Sequence, residues 1–137
     1  MNAELAAYHI LANNATFNAH VGGSAAASRI YYDIAPQTAA LPYTIVREAS
    51  QDPNDTKSGP SDFDFDMIEV RHFAAGRNKV AEMARDARLA LDRVSEGTYN
   101  TIEVVSASFE TQFSDVEEIE DSIQHVKEQV YKFITRR

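Results

Sequence analysis

The sequence predicts an α+β domain, with a mainly antiparallel sheet of about five strands packed by a central helix and N-terminal helices. Three observations lead to this prediction. The chain has 137 residues, enough for one core with little room for a second, so we expect a single domain over 1–137. Hydrophobic residues make up 44% and charged residues 25%, an ordinary globular composition. Helical periodicity is clearest at residues 2–20 and 76–94, whereas most other patterned segments have strand character.

Residues 2–20 are predicted to be helical because apolar residues recur there with helical spacing. Asn2 can cap the first turn, and Asn13-Asn14 is expected to divide the segment into a longer and a shorter helix. Gly22-Gly23 ends the unit, since glycine is favoured just after a helix. The apolar positions are Leu5, Tyr8, Leu11, Ala12 and Ala15.

Two strands are expected next, separated by a loop. Residues 29–33 are rich in β-branched and aromatic side chains, which favour strands. Pro36 and Pro42 bracket the loop, and the residues around it are expected to fix the fold. The segment 43–50 alternates in the manner of a strand.

An extended acidic loop, or arm, is predicted at about residues 51–66. Residues 51–61 contain two prolines, a glycine and several charges, which is typical of a loop. Residues 62–74 are expected to form a long strand whose apolar phase changes near Met67, and such a change indicates a bulge or a protruding end.

The aspartates of this arm are the candidate interaction residues. Asp62, Asp64 and Asp66 alternate along one side of the predicted strand, where a basic partner would neutralise their mutual repulsion. We expect this row to be exposed, so that replacing all three by alanine leaves the fold intact. The interface candidates are Asp52, Asp55, Lys57, Asp62, Asp64 and Asp66.

The segment 76–94 gives the clearest helix prediction, followed by a strand at 101–113. Gly97 follows the helix as a stop signal. Apolar residues recur at spacings of three and four, at Val80, Met83, Ala84, Ala87, Leu91 and Val94.

The final segment has two interpretations. Apolar residues from Val116 to Phe133 repeat at a 3-4-3-4-3 spacing, which favours a helix, and such a heptad would suit a regulatory domain that dimerises. The tail 127–135 also alternates as a strand does. On residues alone the helix is favoured, and about 115–135 stays open between the two.

Composition excludes several kinds of chemistry. The chain has no cysteine, which removes disulfides and thiolate metal sites. Thirteen basic against 21 acidic residues give a net charge of −8, which disfavours a nucleic-acid binder. The four histidines lack metal-site spacing, and His72, on the core phase of its strand, is expected to be a hydrogen-bonded core imidazole. We therefore expect no enzyme activity, catalytic residue, cofactor or metal site. A small metal- or ligand-binding domain using the acidic arm is the alternative from another class.

The order of the elements resembles the tail completion, or tail terminator, proteins of tailed phages, which are related to head–tail joining proteins. Four stretches carry the likeness, and the run IYYDIAPQTAALPY at 30–43 is the most specific. The others are the N-terminal unit ending at Gly23, the strand Ile68–Ala74 with the alanine-rich helix ending at Leu91, and the closing strand pair with Phe133-Ile134. In this family the C-terminal segment is a strand, which favours a strand at about 123–135, with a helical turn or two near 115–121.

The resemblance implies a structural virion protein at the head–tail junction, made in the bacterial cytoplasm. Such proteins form a ring, usually of six copies, that caps the head-proximal end of the tail tube. The implied partners are further copies of the chain, the tail tube protein, the head–tail connector or stopper proteins, and genome DNA passing through without specific binding. No membrane is implied. A head-side adaptor or stopper and a tail tube subunit are the alternatives within this class.

Overall fold

The computed structural model describes residues 3–24, 28–53, 63–119 and 122–136. Within these ranges the chain forms three helices and six strands, so the predicted α+β class is confirmed with one strand more than expected. The elements are α1 (Ala3–Ala12), α2 (Ala15–Val21), β1 (Ile30–Tyr32), β2 (Tyr43–Pro53), β3 (Phe63–Ala74), α3 (Arg77–Leu91), β4 (Gly97–Tyr99), β5 (Ile102–Ile119) and β6 (Ser122–Arg136).

All six strands belong to one sheet in the order β1-β2-β3-β6-β5-β4. The short strand β1 pairs with β2 in parallel, and every other neighbouring pair is antiparallel. The centre of the sheet is the pairing of β3 with β6, which runs from Phe63 opposite Arg136 to Ala74 opposite His125. Two long hairpins, β2–β3 and β5–β6, therefore supply most of the sheet.

The helices cover one face of the sheet, termed the helix-side face, and the other is termed the open face. On β3 the residues Ile68 and Val70 face the helices, and on β6 Tyr131 and Phe133 do so; all four are fully buried. Helix α1 contributes small side chains, with Ala3, Ala6 and Ala7 also fully buried. Alanines allow α1 to lie close to the sheet, and this explains why a helix with few large apolar residues still forms part of the core.

Asparagines separate the two N-terminal helices, as predicted. The side chain of Asn13 donates to the carbonyl of His9 at 2.9 Å and so satisfies a group left free at the end of α1. The Asn14 Oδ1 accepts from the Phe17 N–H at 2.9 Å and caps α2. Gly22 then ends α2 with a φ of 142°, which glycine adopts without strain.

Helix α3 buries the predicted stripe but ends three residues earlier than expected. Asp92 leaves the helical conformation, and its carboxylate accepts from the Phe109 N–H at 3.0 Å. The next residue, Arg93, has a φ of 59° and donates its N–H to the Ala107 carbonyl at 2.7 Å. Both bonds tie the end of α3 to β5, a tertiary constraint that helical periodicity does not contain.

The C-terminal segment is a strand pair, so the helical prediction from its 3-4 spacing is wrong and the strand expectation is confirmed. No helical turn forms at 115–119, because β5 extends to Ile119. The repeat falls on both faces of the hairpin: Phe133 faces the helices, whereas Val126 packs on the open face with Ile45 and Phe73. Apolar residues on both faces of a strand produce this spacing without a helix.

A loop covers part of the open face. Ala35 and Leu41, from the proline-bracketed loop, pack with Tyr43 against the small cluster of Ile45, Phe73 and Val126. The rings of Tyr43 and Phe73 stack at a centroid distance of 4.7 Å. Ala35, Leu41 and Tyr43 therefore have the packing contacts expected of residues that fix the fold, and that role stays a prediction.

Candidate interaction surfaces

Strands β2 and β3 account for residues 51–53 and 63–66 of the region predicted as an acidic arm. They pair from Tyr43 opposite Phe73 out to Pro53 opposite Asp64, so the regular sheet extends further than the predicted loop start. Residues 54–62 lie outside the described residues, and with them three interface candidates, Asp55, Lys57 and Asp62.

The bulge expected near Met67 lies in the partner strand and not in β3 itself. Along β3 the even-numbered residues from Asp66 to Ala74 face the helices without interruption. The register shift lies in β2, between Glu48 and Ser50, directly opposite Met67. Since β3 alternates regularly, Asp66 belongs to the same face as Ile68, and the apolar Phe63 and Phe65 belong to the open face.

Asp66 is buried, so the expectation of an exposed acidic row is wrong at this position. Its side chain has 0% exposure, and the Thr135 hydroxyl on β6 donates to its Oδ2 at 2.8 Å. Burial raises the pKa of the Asp66 carboxyl, and hydrogen bonds from Thr135 and Gln51 oppose that rise. This carboxyl therefore has structural contacts with both strands that flank β3, through Thr135 on β6 and Gln51 on β2.

Of the other two described candidates, neither shares the environment of Asp66. Asp64 is half-buried and lies opposite Thr135 on the same face. Asp52 is exposed and lies opposite Phe65, which belongs to the open face. The described candidates therefore do not form one acidic row, and their part in an interface stays a prediction.

The start of β3, at the far end of its pairing with β2, has a pair of cation–aromatic contacts on the open face. The Lys132 ammonium lies 4.3 Å from the centroid of the Phe65 ring, and the Arg136 guanidinium lies 5.1 Å from that of Phe63. Each contact covers an aromatic side chain on this face, at a typical gain of about 0.5–1 kcal/mol for exposed sites.

The β5–β6 hairpin carries exposed apolar side chains in the segment that the sequence left open between helix and strand. Phe113, Val116 and Ile123 are between 56% and 58% exposed there. Phe113, Asp115 and Glu117 follow one another on the open face of β5, and Phe113 lies opposite Glu128 on β6. In the sequence, large apolar residues lie among acidic ones in this segment, which could have indicated an interaction surface. The 3-4 apolar spacing favoured a helix instead, so this surface was not predicted.

A basic groove runs along α3 on the helix-side face. Its cavity of about 420 Å³ is lined by Arg85, Arg88 and Leu89 from α3, by Gln112 from β5 and by Lys127 from β6. Leu89 is 75% exposed, and the Arg88 guanidinium lies 4.0 Å from the centroid of the Phe109 ring. Three cations converge here although the whole chain carries a net charge of −8.

A buried polar network crosses the sheet at His72 and confirms the predicted core imidazole. His72 Nε2 lies 2.8 Å from Gln129 Oε1, and its Nδ1 lies 2.9 Å from the Thr44 hydroxyl. The Gln129 amide donates to the Ala84 carbonyl at 2.9 Å, so its oxygen faces the ring and the proton lies on Nε2. Burial lowers the pKa of His72 to about 4, and the ring is neutral.

A second histidine joins α2 to α3. His20 Nε2 lies 2.7 Å from Asp86 Oδ2, and both side chains are largely buried. Burial alone would raise the pKa of Asp86, but hydrogen bonds from His20 and Arg85 lower it. The Ser28 hydroxyl donates to Asn18 Oδ1 and to the Ser24 carbonyl, not to this pair.

The described residues contain neither a candidate metal site nor a candidate membrane-spanning helix. In ranges 3–24, 28–53, 63–119 and 122–136, no group of three or more His, Asp or Glu side chains is placed to hold a metal ion. In the same part of the chain no helix is long and apolar enough to span a membrane.

Comparison with known proteins gives a likeness of fold. No protein-family model matches the chain, and no curated protein matches it. One chain of a solved structure described as "Virion of native gene transfer agent (GTA) particle" matches with a TM-score of 0.68. The match covers 98% of this chain and 94% of that chain at 17% sequence identity, so the two share a fold over nearly their whole lengths.

Proposed function

We propose that this chain is a structural protein of a tailed-phage-like virion that caps the head-proximal end of the tail tube and joins it to the head connector. The observation that carries the proposal is the near-complete fold likeness to a chain of the gene transfer agent virion. The sequence resemblance to tail completion proteins, found independently in the run 30–43, supports the same class and the more specific position.

The functional oligomer that we propose is a ring of six copies. A ring requires a heterologous contact, in which one patch of each copy meets a different patch on the next, and a rotation that closes. The partners are other copies of the chain, the tail tube protein and the connector or stopper proteins. The protein makes and breaks no bond, and its activity lies in the geometry of these contacts.

The charge of the chain suits a DNA conduit. Genome DNA has to slide through the junction, and a wall of net negative charge repels phosphates and prevents adhesion. With −8 on each chain, a ring of copies supplies such a field without a specific DNA site. The acidic residues of the β2–β3 hairpin, including the exposed Asp52, remain our candidates for contacts with adjoining virion proteins.

Deletion of the gene in the particle-producing strain that encodes the chain tests the proposal. We expect filled heads together with separate tail tubes of uncontrolled length, seen by electron microscopy, and restoration of joined particles when the gene is supplied in trans. Normal joined particles in the deletion strain would overturn the proposal.

The same experiment separates the related roles. Loss of a head-side adaptor or stopper leaves tails of normal length beside heads that release their DNA. Loss of a tube subunit leaves no tubes at all. Tube length and head filling, measured on the same grids, therefore distinguish tail capping from both alternatives.

A further inference from the structure

We propose that two patches on opposite faces of the sheet form the contact between neighbouring copies in the ring. The first, the acidic patch, consists of Phe113, Asp115, Glu117 and Glu128 on the open face of the β5–β6 hairpin. The second, the basic groove, consists of Arg85, Arg88 and Leu89 on α3 with Lys127 on β6. This inference rests on the proposed ring and specifies which surfaces of the chain close it.

The acidic patch has the composition of an interface. Phe113 is 58% exposed, so its ring is available to pack against a second surface. Asp115 is exposed beside it, and Glu117 and Glu128 follow on the same face. Arg71 lies 3.8 Å from Glu117 and 3.5 Å from Glu128, so these two carboxylates share one guanidinium, and with Asp115 an excess of negative charge remains.

The basic groove has the opposite character. Arg85 and Arg88 are 65% and 53% exposed and flank Leu89, which is 75% exposed. Lys127 lines the same cavity, with its ammonium donating to the Ser114 hydroxyl at 2.9 Å. Asp92 balances one cation at 3.8 Å from Arg88. Asp86 contacts Arg85 at 3.3 Å through Oδ1 and His20 at 2.7 Å through Oδ2, so two carboxylates face three cations and one positive charge remains in excess.

The two patches are complementary in both charge and polarity. Each carries one highly exposed large apolar residue, Phe113 or Leu89, surrounded by charges of one predominant sign. An aromatic anchor packed on an aliphatic side chain, with opposite charges at the rim, is the usual composition of a specific protein interface. The charges also disfavour pairing of two like patches, because such a contact would bring carboxylates together or cations together.

The position of the patches makes the contact heterologous. Phe113 and Asp115 lie on the open face, whereas α3 covers the helix-side face of the same sheet. A copy that presents its open face to a neighbour cannot present its helix-side face to that neighbour through the same contact. The pairing therefore continues from copy to copy in one direction, which is the arrangement that a closed ring requires.

Charge-reversal variants test the assignment. Asp115→Arg and Arg85→Glu each change one exposed side chain, and we expect each to raise the dissociation constant for ring formation about tenfold or more. The double variant D115R/R85E restores opposite charges across the contact and should restore rings. Glu96→Arg, at a 70% exposed position outside both patches, is the matched control. Light scattering after size-exclusion chromatography measures the association, and circular dichroism confirms folding of each variant.

The outcomes separate this inference from the proposed function. If wild-type protein forms no ring either alone or on isolated tail tubes, the ring itself is wrong. If wild type forms rings and both single variants do so equally well, or if the double variant is not restored, these patches are not the contact although the ring stands. Rings unaffected by Arg85→Glu together with loss of duplex DNA binding would assign the groove to phosphates and overturn the inference.

Discussion

The buried imidazole of His72 makes stability depend on pH. In the unfolded chain its pKa is near 6.5, and in the folded protein burial lowers it to about 4. Between these values the unfolded chain binds a proton that the folded protein does not, so the free energy of unfolding decreases as pH falls from 6.5 towards 4. Above pH 6.5 the group has no effect.

The first prediction follows from that sign. Lowering the pH from 7.5 to 5 should cost about 2 kcal/mol of unfolding free energy through His72 alone, and urea denaturation at each pH measures it. His72→Gln keeps a polar side chain but cannot titrate, so the difference in pH dependence between wild type and this variant isolates the effect. If the free energy of unfolding depends on pH equally in the two proteins, burial does not lower the pKa of His72 and the prediction is wrong.

The second prediction concerns Asp66, which is buried on the core face of β3. Asp66→Ala should lower the free energy of unfolding by about 1–3 kcal/mol, because it leaves the buried Thr135 hydroxyl without its acceptor. Asp52→Ala, at an exposed position of the same hairpin, should change it by less than about 0.5 kcal/mol. Thermal unfolding of both variants measures the difference. If the two variants are equally stable, Asp66 is exposed, as the sequence predicted, and its burial is wrong.

At the scale of elements, the contact of α2 with α3 depends on one buried polar pair. His20 and Asp86 are joined at 2.7 Å, and the pKa of the carboxyl is lowered, so its contribution is present at neutral pH and is lost only in acid. Apolar contacts of Phe17, Val21 and Met83 surround this part of the core.

The third prediction is that Asp86→Ala destabilises the fold by about 1–3 kcal/mol at pH 7, because it leaves His20 largely buried without its partner. Glu82→Ala, on the exposed face of the same helix, is the control and should be nearly neutral. Urea denaturation followed by circular dichroism gives both values. A loss as small for Asp86 as for Glu82 would indicate that the apolar contacts alone hold α2 in place.

Elements whose boundaries depend on neighbouring residues in the sequence were predicted well, and those whose boundaries depend on contacts with distant segments of the chain were not. The break at Asn13-Asn14 and the stripe from Val80 to Leu91 are local, and the structure confirms both. The end of α3 at Leu91 is determined by bonds to β5, which no local pattern contains. The C-terminal hairpin mimics a helical repeat because its strands carry apolar residues on both faces.

The candidate site was predicted less well for the same reason. Regular alternation places Asp66 on the face of Ile68, but its burial depends on pairing with β6, where Thr135 contacts it, so the sequence of β3 alone gives the wrong exposure. The basic groove combines α3 with β6, segments separated by about 40 residues, and only the fold places Arg85 and Lys127 around one cavity.

At the scale of the whole molecule, two electrostatic effects act on assembly in opposite directions. Each copy carries a net charge of −8, so neighbouring copies repel one another over long distances. The acidic patch and the basic groove attract one another only at contact. Salt screens both, but the long-range repulsion is screened first, because the Debye length falls from about 30 Å at 0.01 M to about 10 Å at 0.1 M.

The fourth prediction is that ring formation depends on salt with a maximum. Association should strengthen from about 0.01 M to about 0.1 M NaCl as the repulsion between copies is screened, and weaken towards 1 M, where the Debye length of about 3 Å also screens the contact charges. Sedimentation velocity across this series measures it. The double variant D115R/R85E keeps both the net charge and the complementarity and should show the same maximum. Association that strengthens steadily up to 1 M would instead mean that apolar burial alone, through residues such as Phe113 and Leu89, holds the copies together.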